Sequence, residues 1–316
     1  MLKVSVIIPV YNVEKYIKRC LDALTDQTLS DDIELIFVDD QSSDNSARII
    51  QSYADHDNRI KLFSLSDKKG AGGARNVGLE KACGEYIGFC DADDVVEPRM
   101  FQELYEQAVF YEADIAACGI NTYYENFLIA KDVPSKTACY TNGKIFQHLK
   151  YGTVWNKIFK SNLAKSIRFP ENRFCEDSVY TLKLLCKCKK FLVINQAYYN
   201  YFTNIGFSTN NRNNAEKWEK DKSFCLFELY NYCIENKFGQ IRLKGVLSYC
   251  RKNFDLNYNN KSLRKNFFKV CKSYKLRKTL FKEYAVTNRV LFVIKAYLLF
   301  PLYVVKIYQL LKRASK

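Results

Sequence analysis

Residues 4–10, VSVIIPV, form an unbroken apolar run that stops at Tyr11 and Asn12, and Val13, Ile17, Cys20, Leu21 and Leu24 follow at helical spacing. A run apolar on both faces predicts a strand covered on both sides, and the stripe after it predicts one of the covering helices. The unit repeats. ELIFVDD (34–40) predicts a second strand, and SSDNSARIIQSYA a helix capped by Ser43 or Asp44. IKLFSLS (60–66) predicts a third strand, GGARNVGLEKA a helix begun by glycines, and EYIGFC (85–90) a fourth strand. This alternation implies an α/β fold whose mostly parallel sheet carries helices on both faces. Ligands of such sheets bind beyond the carboxyl ends of the strands. Three of the four strands end in polar clusters, VYN, VDDQSSD and DADD, so these side chains are expected to converge on one crevice.

Composition narrows the classes. A chain of 316 residues, 48% hydrophobic and 15% aromatic, can bury one large core or two modest ones. The stretch MLKVSVIIPVYN is briefly apolar and has no small-residue cleavage site, which predicts no signal peptide and a cytoplasmic chain. Twelve scattered cysteines without a CxxC pair read as buried thiols, and His56 and His148 alone do not make the usual zinc site. The net charge of +15 is localised: residues 251–316 hold 17 of the 49 Lys+Arg but only 2 of the 34 Asp+Glu, leaving 32 of each sign in residues 1–250. A neutral body with a cationic attachment argues against a domain built to wrap nucleic acid.

The acids of GFCDADDVVEP (88–98) raise a chemical question. Side chains at i and i+2 of an extended segment share a face about 7 Å apart, where two carboxylates repel unless a cation intervenes. A divalent ion held by one carboxylate and by substrate phosphates is the usual arrangement of a nucleotide site. The tripeptide alone fits a solvated turn at a strand end better than a metal site.

VSVIIPVYNVEKYI, ELIFVDDQSSDNS, GAGGARNVG and FCDADD, in this order and spacing, resemble the family 2 glycosyltransferases of the GT-A fold over residues 3 to about 100. The likeness extends through TVWNKIFKSN (153–162) and FPENRFCEDSVYTLKLL (169–185), similar to the acceptor side of bacterial polysaccharide-assembling members, and so covers roughly residues 3–200. It implies that Pro9, Tyr11 and Asp40 hold the nucleobase, a carboxylate that accepts the uracil N3 hydrogen favouring a UDP-sugar. It implies further that the glycines and Arg75 receive the diphosphate, that Asp91 contacts the ribose or the metal shell, and that Asp93 ligates Mn2+ or Mg2+. Asp39 reads as a turn acid, and Asp94 as an acid in solvent or capping a helix. Lys68 and Gln41 depart from the Asn and Gly often found in the family.

Glu176 and Asp177 open a helical pattern, where acids also serve simply as first-turn residues. The resemblance implies instead that Asp177 is the general base and Glu176 its support. Trp155, Asn156 and Lys157 are candidate acceptor contacts, and Trp155 fits a core position equally well. The activity implied is inverting transfer of one sugar from a UDP-sugar to a growing cell-surface glycan of the capsule, exopolysaccharide, lipopolysaccharide or teichoic acid type, its acceptor free or carried on lipid. A glycoside hydrolase, or a lipid-attached scaffold that keeps the fold without activity, are the alternatives.

The organisation expected is a catalytic domain at 1–205, with a nucleotide half to about 100 and an acceptor half at 101–205, followed by a basic helical region at 206–316. In NRVLFVIKAYLLFPLYVVKIYQLLKRASK (288–316), Lys295, Lys306 and Arg313 are 11 and 7 apart, within about 20° on a helix. Lysines and Pro301 inside the apolar stretch favour a helix lying in the interface of an anionic membrane, hence a peripheral protein on the inner face. The alternative is packing on the body or on a second subunit.

Overall fold

The computed structural model describes residues 2–141, 144–149, 151–203 and scattered positions from 217 to 246. The first half runs β1 (Val4–Val10), α1 (Ile17–Thr25), β2 (Ile33–Asp39), α2 (Ser46–Ala54), β3 (Ile60–Ser64), α3 (Gly70–Lys81) and β4 (Tyr86–Phe89). The second half runs β5 (Val95–Val96), α4 (Met100–Phe110), β6 (Ile115–Tyr124), β7 (Phe127–Asp132), β8 (Ala138–Thr141), α5 (Ile145–His148), β9 (Lys157–Lys160), α6 (Ser161–Ala164), α7 (Glu176–Lys187) and β10 (Lys190–Phe202). The strands form one sheet in the order β3-β2-β1-β4-β9-β6-β10-β5, with β7 on β6 and β8 on β10. β1 to β4 pair in parallel, whereas β9 enters antiparallel between β4 and β6, and β10 runs parallel to β6.

The pattern that predicts α1 is the one it buries: Ile17, Cys20, Leu21 and Leu24 are all fully covered. Removing each such side chain from water is worth about 1.5–3 kcal/mol, which fastens a helix of weak intrinsic stability to the sheet. Helix α2 begins at Ser46 with Asn45 at its cap, one residue beyond the expected Asp44. Asp44 still serves the helix start, since its carboxylate accepts the Ser46 amide at 3.0 Å.

Register brings the strand ends level. Val10 lies opposite Asp39, Asp39 opposite Ser64, and Ile7 opposite Phe89. Pro9 is tolerated inside a central strand because pairing with β4 ends at Ile7, so the missing N–H falls where no ladder bond is due. Helix α3 contains four glycines and stands by packing rather than propensity. A Cβ at Gly78 would lie 2.3 Å from Ile7 of β1, and one at Gly72 would lie 2.2 Å from the Pro170 carbonyl oxygen. Gly72 therefore lets the chain leading into α7 close against α3.

Among the described residues no helix is long and apolar enough to cross a membrane. The stripe read at 288–316 lies outside the described residues.

Candidate active site

At the end of β1 the Tyr11 ring is 42% exposed, and Lys68 places its Nζ 3.5 Å from the ring centroid. The carboxylate of Asp40, just after β2, accepts the amides of Lys69 at 2.6 Å and Gly70 at 2.8 Å, satisfying donors at the start of α3. Asp39 accepts the Ser42 amide at 3.2 Å, a turn acid as expected. Gln41, in the left-handed region at φ +61°, donates to the Ser66 carbonyl. Both departures from the family pattern thus have definite partners beside the base-binding candidates.

Beyond β4 the acids separate by environment. Asp91 accepts a bond from Arg75 Nη2 at 2.8 Å. Asp93 is half-buried, and its carbonyl accepts from Arg19, whose guanidinium stacks 3.7 Å from the Phe202 ring centroid. Asp94 corrects the sequence expectation: it is 1% exposed, neither in solvent nor capping a helix. Its carboxylate accepts Tyr199 Oη at 2.7 Å and the Phe202 amide at 2.8 Å, so it pins the acidic loop to β10. Burial, with Asp93 and Asp91 nearby, pushes its carboxyl well above the usual range.

Arg75 is also differently placed from the expectation of a phosphate ligand. Its side chain is buried between Asp91 and Glu176, reaching the latter through Nη1 at 2.6 Å. Next to Glu176, in the first turn of α7, Asp177 is half-buried and its carboxyl is pushed up to about 7; desolvation is the main cause and Glu176 adds to it, while Arg75 and the Ser178 amide oppose. The residue before the helix, Cys175, has φ +61°, strained for a residue with a side chain. Asp221 holds this turn, accepting from Arg173 Nη1 and the Phe174 amide, each at 2.9 Å.

The three acceptor candidates face inward. Trp155 is 8% exposed, its ring stacked on Tyr199 at 4.3 Å and Tyr201 at 5.5 Å, which is the core alternative rather than an open sugar platform. Asn156 Nδ2 donates to the Cys118 carbonyl at 2.6 Å, tying the start of β9 to β6. Lys157 donates to the Thr153 carbonyl and to Asn156 Oδ1, and burial carries its ammonium down to about 7, against the pull of Cys118 and Asp177.

Sequence reasoning misses Asp221, Tyr199 and Asn76, whose side-chain amide is bonded to the Phe169 backbone. Each acts on a partner tens of residues away, and no local pattern marks it.

What the arrangement can do follows from its charges. A carboxyl near neutrality at the head of a helix suits general-base work. No cluster of three His, Cys, Asp or Glu among the described residues suits a metal by itself. The carboxylate oxygens of the acidic loop are the hard donors that suit Mg2+ or Mn2+, with Asp91 bonded to Arg75 and Asp94 to Tyr199.

The family model described as glycosyl transferase family 2 matches residues 5–167. Glycosyltransferase GlyA of Streptococcus pneumoniae serotype 4 is 33% identical over 231 residues, covering 68% of this chain and 32% of that protein. The uncharacterized glycosyltransferase EpsJ of Bacillus subtilis is 36% identical over 212 residues, covering 64% and 61%. The chain thus spans about one third and three fifths of these relatives. S. aureus TarS 1–349, in a crystal structure with UDP, superposes with TM-score 0.65 at 24% identity over 85% of this chain and 81% of that one, a likeness of fold.

Proposed function

Because this chain belongs to glycosyl transferase family 2, we propose that it moves one hexosyl or N-acetylhexosaminyl unit from a UDP-sugar to a hydroxyl of a cell-surface glycan. The observation that carries this reading is Asp177, half-buried in the first turn of α7, its carboxyl pushed up to about 7, where Arg75 joins the neighbouring Glu176 to Asp91 after β4. The fold shared with TarS, which is crystallised with UDP, supports the choice of nucleotide.

In this reading the uracil stacks on Tyr11 beside Pro9, and the Asp40 carboxylate, which has lone pairs beyond the two it gives to backbone amides, accepts the N3 hydrogen. Asp91 faces the ribose. Asp177 takes the proton of the acceptor hydroxyl as its oxygen bonds to the anomeric carbon from the face opposite UDP. The bond from that carbon to the β-phosphate oxygen breaks with its electron pair on the diphosphate, giving inversion. Asp93 would hold Mn2+ or Mg2+, which supplies positive charge to the departing diphosphate. Residues 1–205 form the catalytic domain, and 206–316 attach it to the anionic inner face of the membrane, where a lipid-linked acceptor would be met.

The test is a panel of UDP-glucose, UDP-galactose and UDP-GlcNAc with manganese, scored by UDP release. One donor should be turned over clearly faster than the rest, and Asp177→Asn should remove that turnover. A chain that neither binds UDP nor releases it from any donor is not this enzyme.

A further inference from the structure

Arg75 lies where carboxylates from two distant segments meet. Its Nη2 donates to Asp91 after β4 at 2.8 Å, and its Nη1 to Glu176 in the first turn of α7 at 2.6 Å. Its charge is also felt at Asp177. One side chain of α3 thereby spans both halves of the site. Arg75 is 4% exposed, and its Nε is buried without a hydrogen-bond partner. An unsatisfied buried donor costs stability, and a buried ion pair rarely repays its desolvation, so structural benefit alone is a weak account of it.

We propose that Arg75 is the positioning residue for the general base: by binding Asp91 and Glu176 together it fixes the first turn of α7 against the acidic loop and keeps the Asp177 carboxylate ionisable. The inference rests on Asp177 being that base. The turn needs such a tie, because Cys175 enters it at φ +61°. The charges around Asp177 define the effect. Burial, Glu176 and Asp91 favour its protonated form, and Arg75 with the Ser178 amide favours the ionised one. Lys157 at the start of β9 is the other cation that senses Asp177, but burial has carried its own ammonium down to about 7, so it adds little charge above neutrality. Without Arg75, three carboxylates are left to repel one another, and Asp177, already pushed upward, retains its proton.

The measurement is carboxyl 13C NMR of the full chain labelled at aspartate, without nucleotide or metal, with Asp177 assigned by comparison with Asp177→Asn. The wild-type midpoint should lie near 7. Arg75→Gln should raise it by about one unit or more, Arg75→Lys should leave it close to wild type, and Arg75→Gln with Glu176→Gln should return it most of the way. In UDP release from the preferred donor, the acid limb of kcat against pH should follow the midpoint, with donor KM changed less than about threefold. An unmoved midpoint in folded Arg75→Gln overturns the proposal. So does a tenfold rise in donor KM, on the order expected for a lost phosphate contact, with the acid limb in place. Should Arg75→Gln fail to fold, Glu176→Gln alone must lower the midpoint, and no movement is equally fatal. Failure of the base assignment looks different: Asp177→Asn would keep the acid limb, whatever the Arg75 variants do to the midpoint.

Discussion

The side-chain amide of Asn76 makes both of its bonds to Phe169, donating from Nδ2 to the carbonyl at 3.0 Å and accepting the amide at Oδ1 at 2.8 Å. The Phe169 ring stacks on Tyr180 of α7 at 3.8 Å, so this pair fastens α3 to the segment that delivers Asp177. Asn76→Asp keeps the size but turns an oxygen toward the Phe169 carbonyl. We expect a loss of about 2–3 kcal/mol, since a buried acceptor loses its donor and a second acceptor faces it. It should appear as a lower urea midpoint with an unchanged slope. An unaltered midpoint would mean that the two segments are held by other contacts.

For Asp177 the pH dependence has a definite sign. Its carboxyl sits at about 7 in the folded chain against an ordinary 3.8, so between these values the native state binds a proton that the unfolded chain has released. This group's contribution to stability is therefore full below about pH 4 and is lost as pH rises toward 7. Turnover has the opposite trend, because only the carboxylate accepts a proton. We predict that wild-type kcat climbs through about pH 7, and that Asp177→Asn loses about 10²-fold or more. The same variant should melt no lower than wild type at pH 8, with the gap closing toward pH 4. Melting well below wild type at pH 8 would argue that the ionised carboxylate is a structural partner instead.

The first half of the fold is legible because its signals are local. The run of β1 and the stripe of α1 lie within about two dozen residues, and Gly72 and Gly78 mark close approaches that only glycine permits. The acceptor half is less so. Strand β9 has four residues, KIFK, and its place between β4 and β6 is set by pairing with strands far away in sequence. The site divides in the same way. The proposed base Asp177 and the proposed cation ligand Asp93 stand in motifs, whereas Asp94 looks like a surface acid until Tyr199 and Phe202, more than 100 residues on, fold over it. Arg75 looks like a phosphate ligand because the glycines beside it are visible and Glu176, 101 residues later, is not.

The basic tail makes a separable prediction. Residues 251–316 carry 17 Lys+Arg against 2 acids, and the last 29 hold an apolar stretch with Lys295, Lys306 and Arg313. Truncation after residue 286 should release the protein from liposomes containing acidic lipid while leaving UDP affinity nearly unchanged. Binding should weaken with salt, as surface charge attraction does. An intact chain that ignores such liposomes at low salt would favour packing on the body or on a second subunit.

Neighbouring acids in the loop after β4 should fail in different ways. Asp94 is buried and bonded to Tyr199 and the Phe202 amide, so Asp94→Asn, which forces an amide hydrogen toward one of them, should cost about 1–3 kcal/mol of stability. Manganese-dependent UDP binding should survive in the molecules that remain folded. Asp93 is half-buried in the same loop, and its role as the cation's carboxylate predicts the reverse. Asp93→Ala should melt near wild type, yet titrations of UDP by calorimetry should lose the difference between runs with and without manganese. Excess EDTA should likewise abolish transfer by the wild type. Full turnover in EDTA, or an Asp93→Ala protein whose UDP affinity still rises with manganese, would remove Asp93 from the metal and leave the charge of the departing diphosphate to side chains alone.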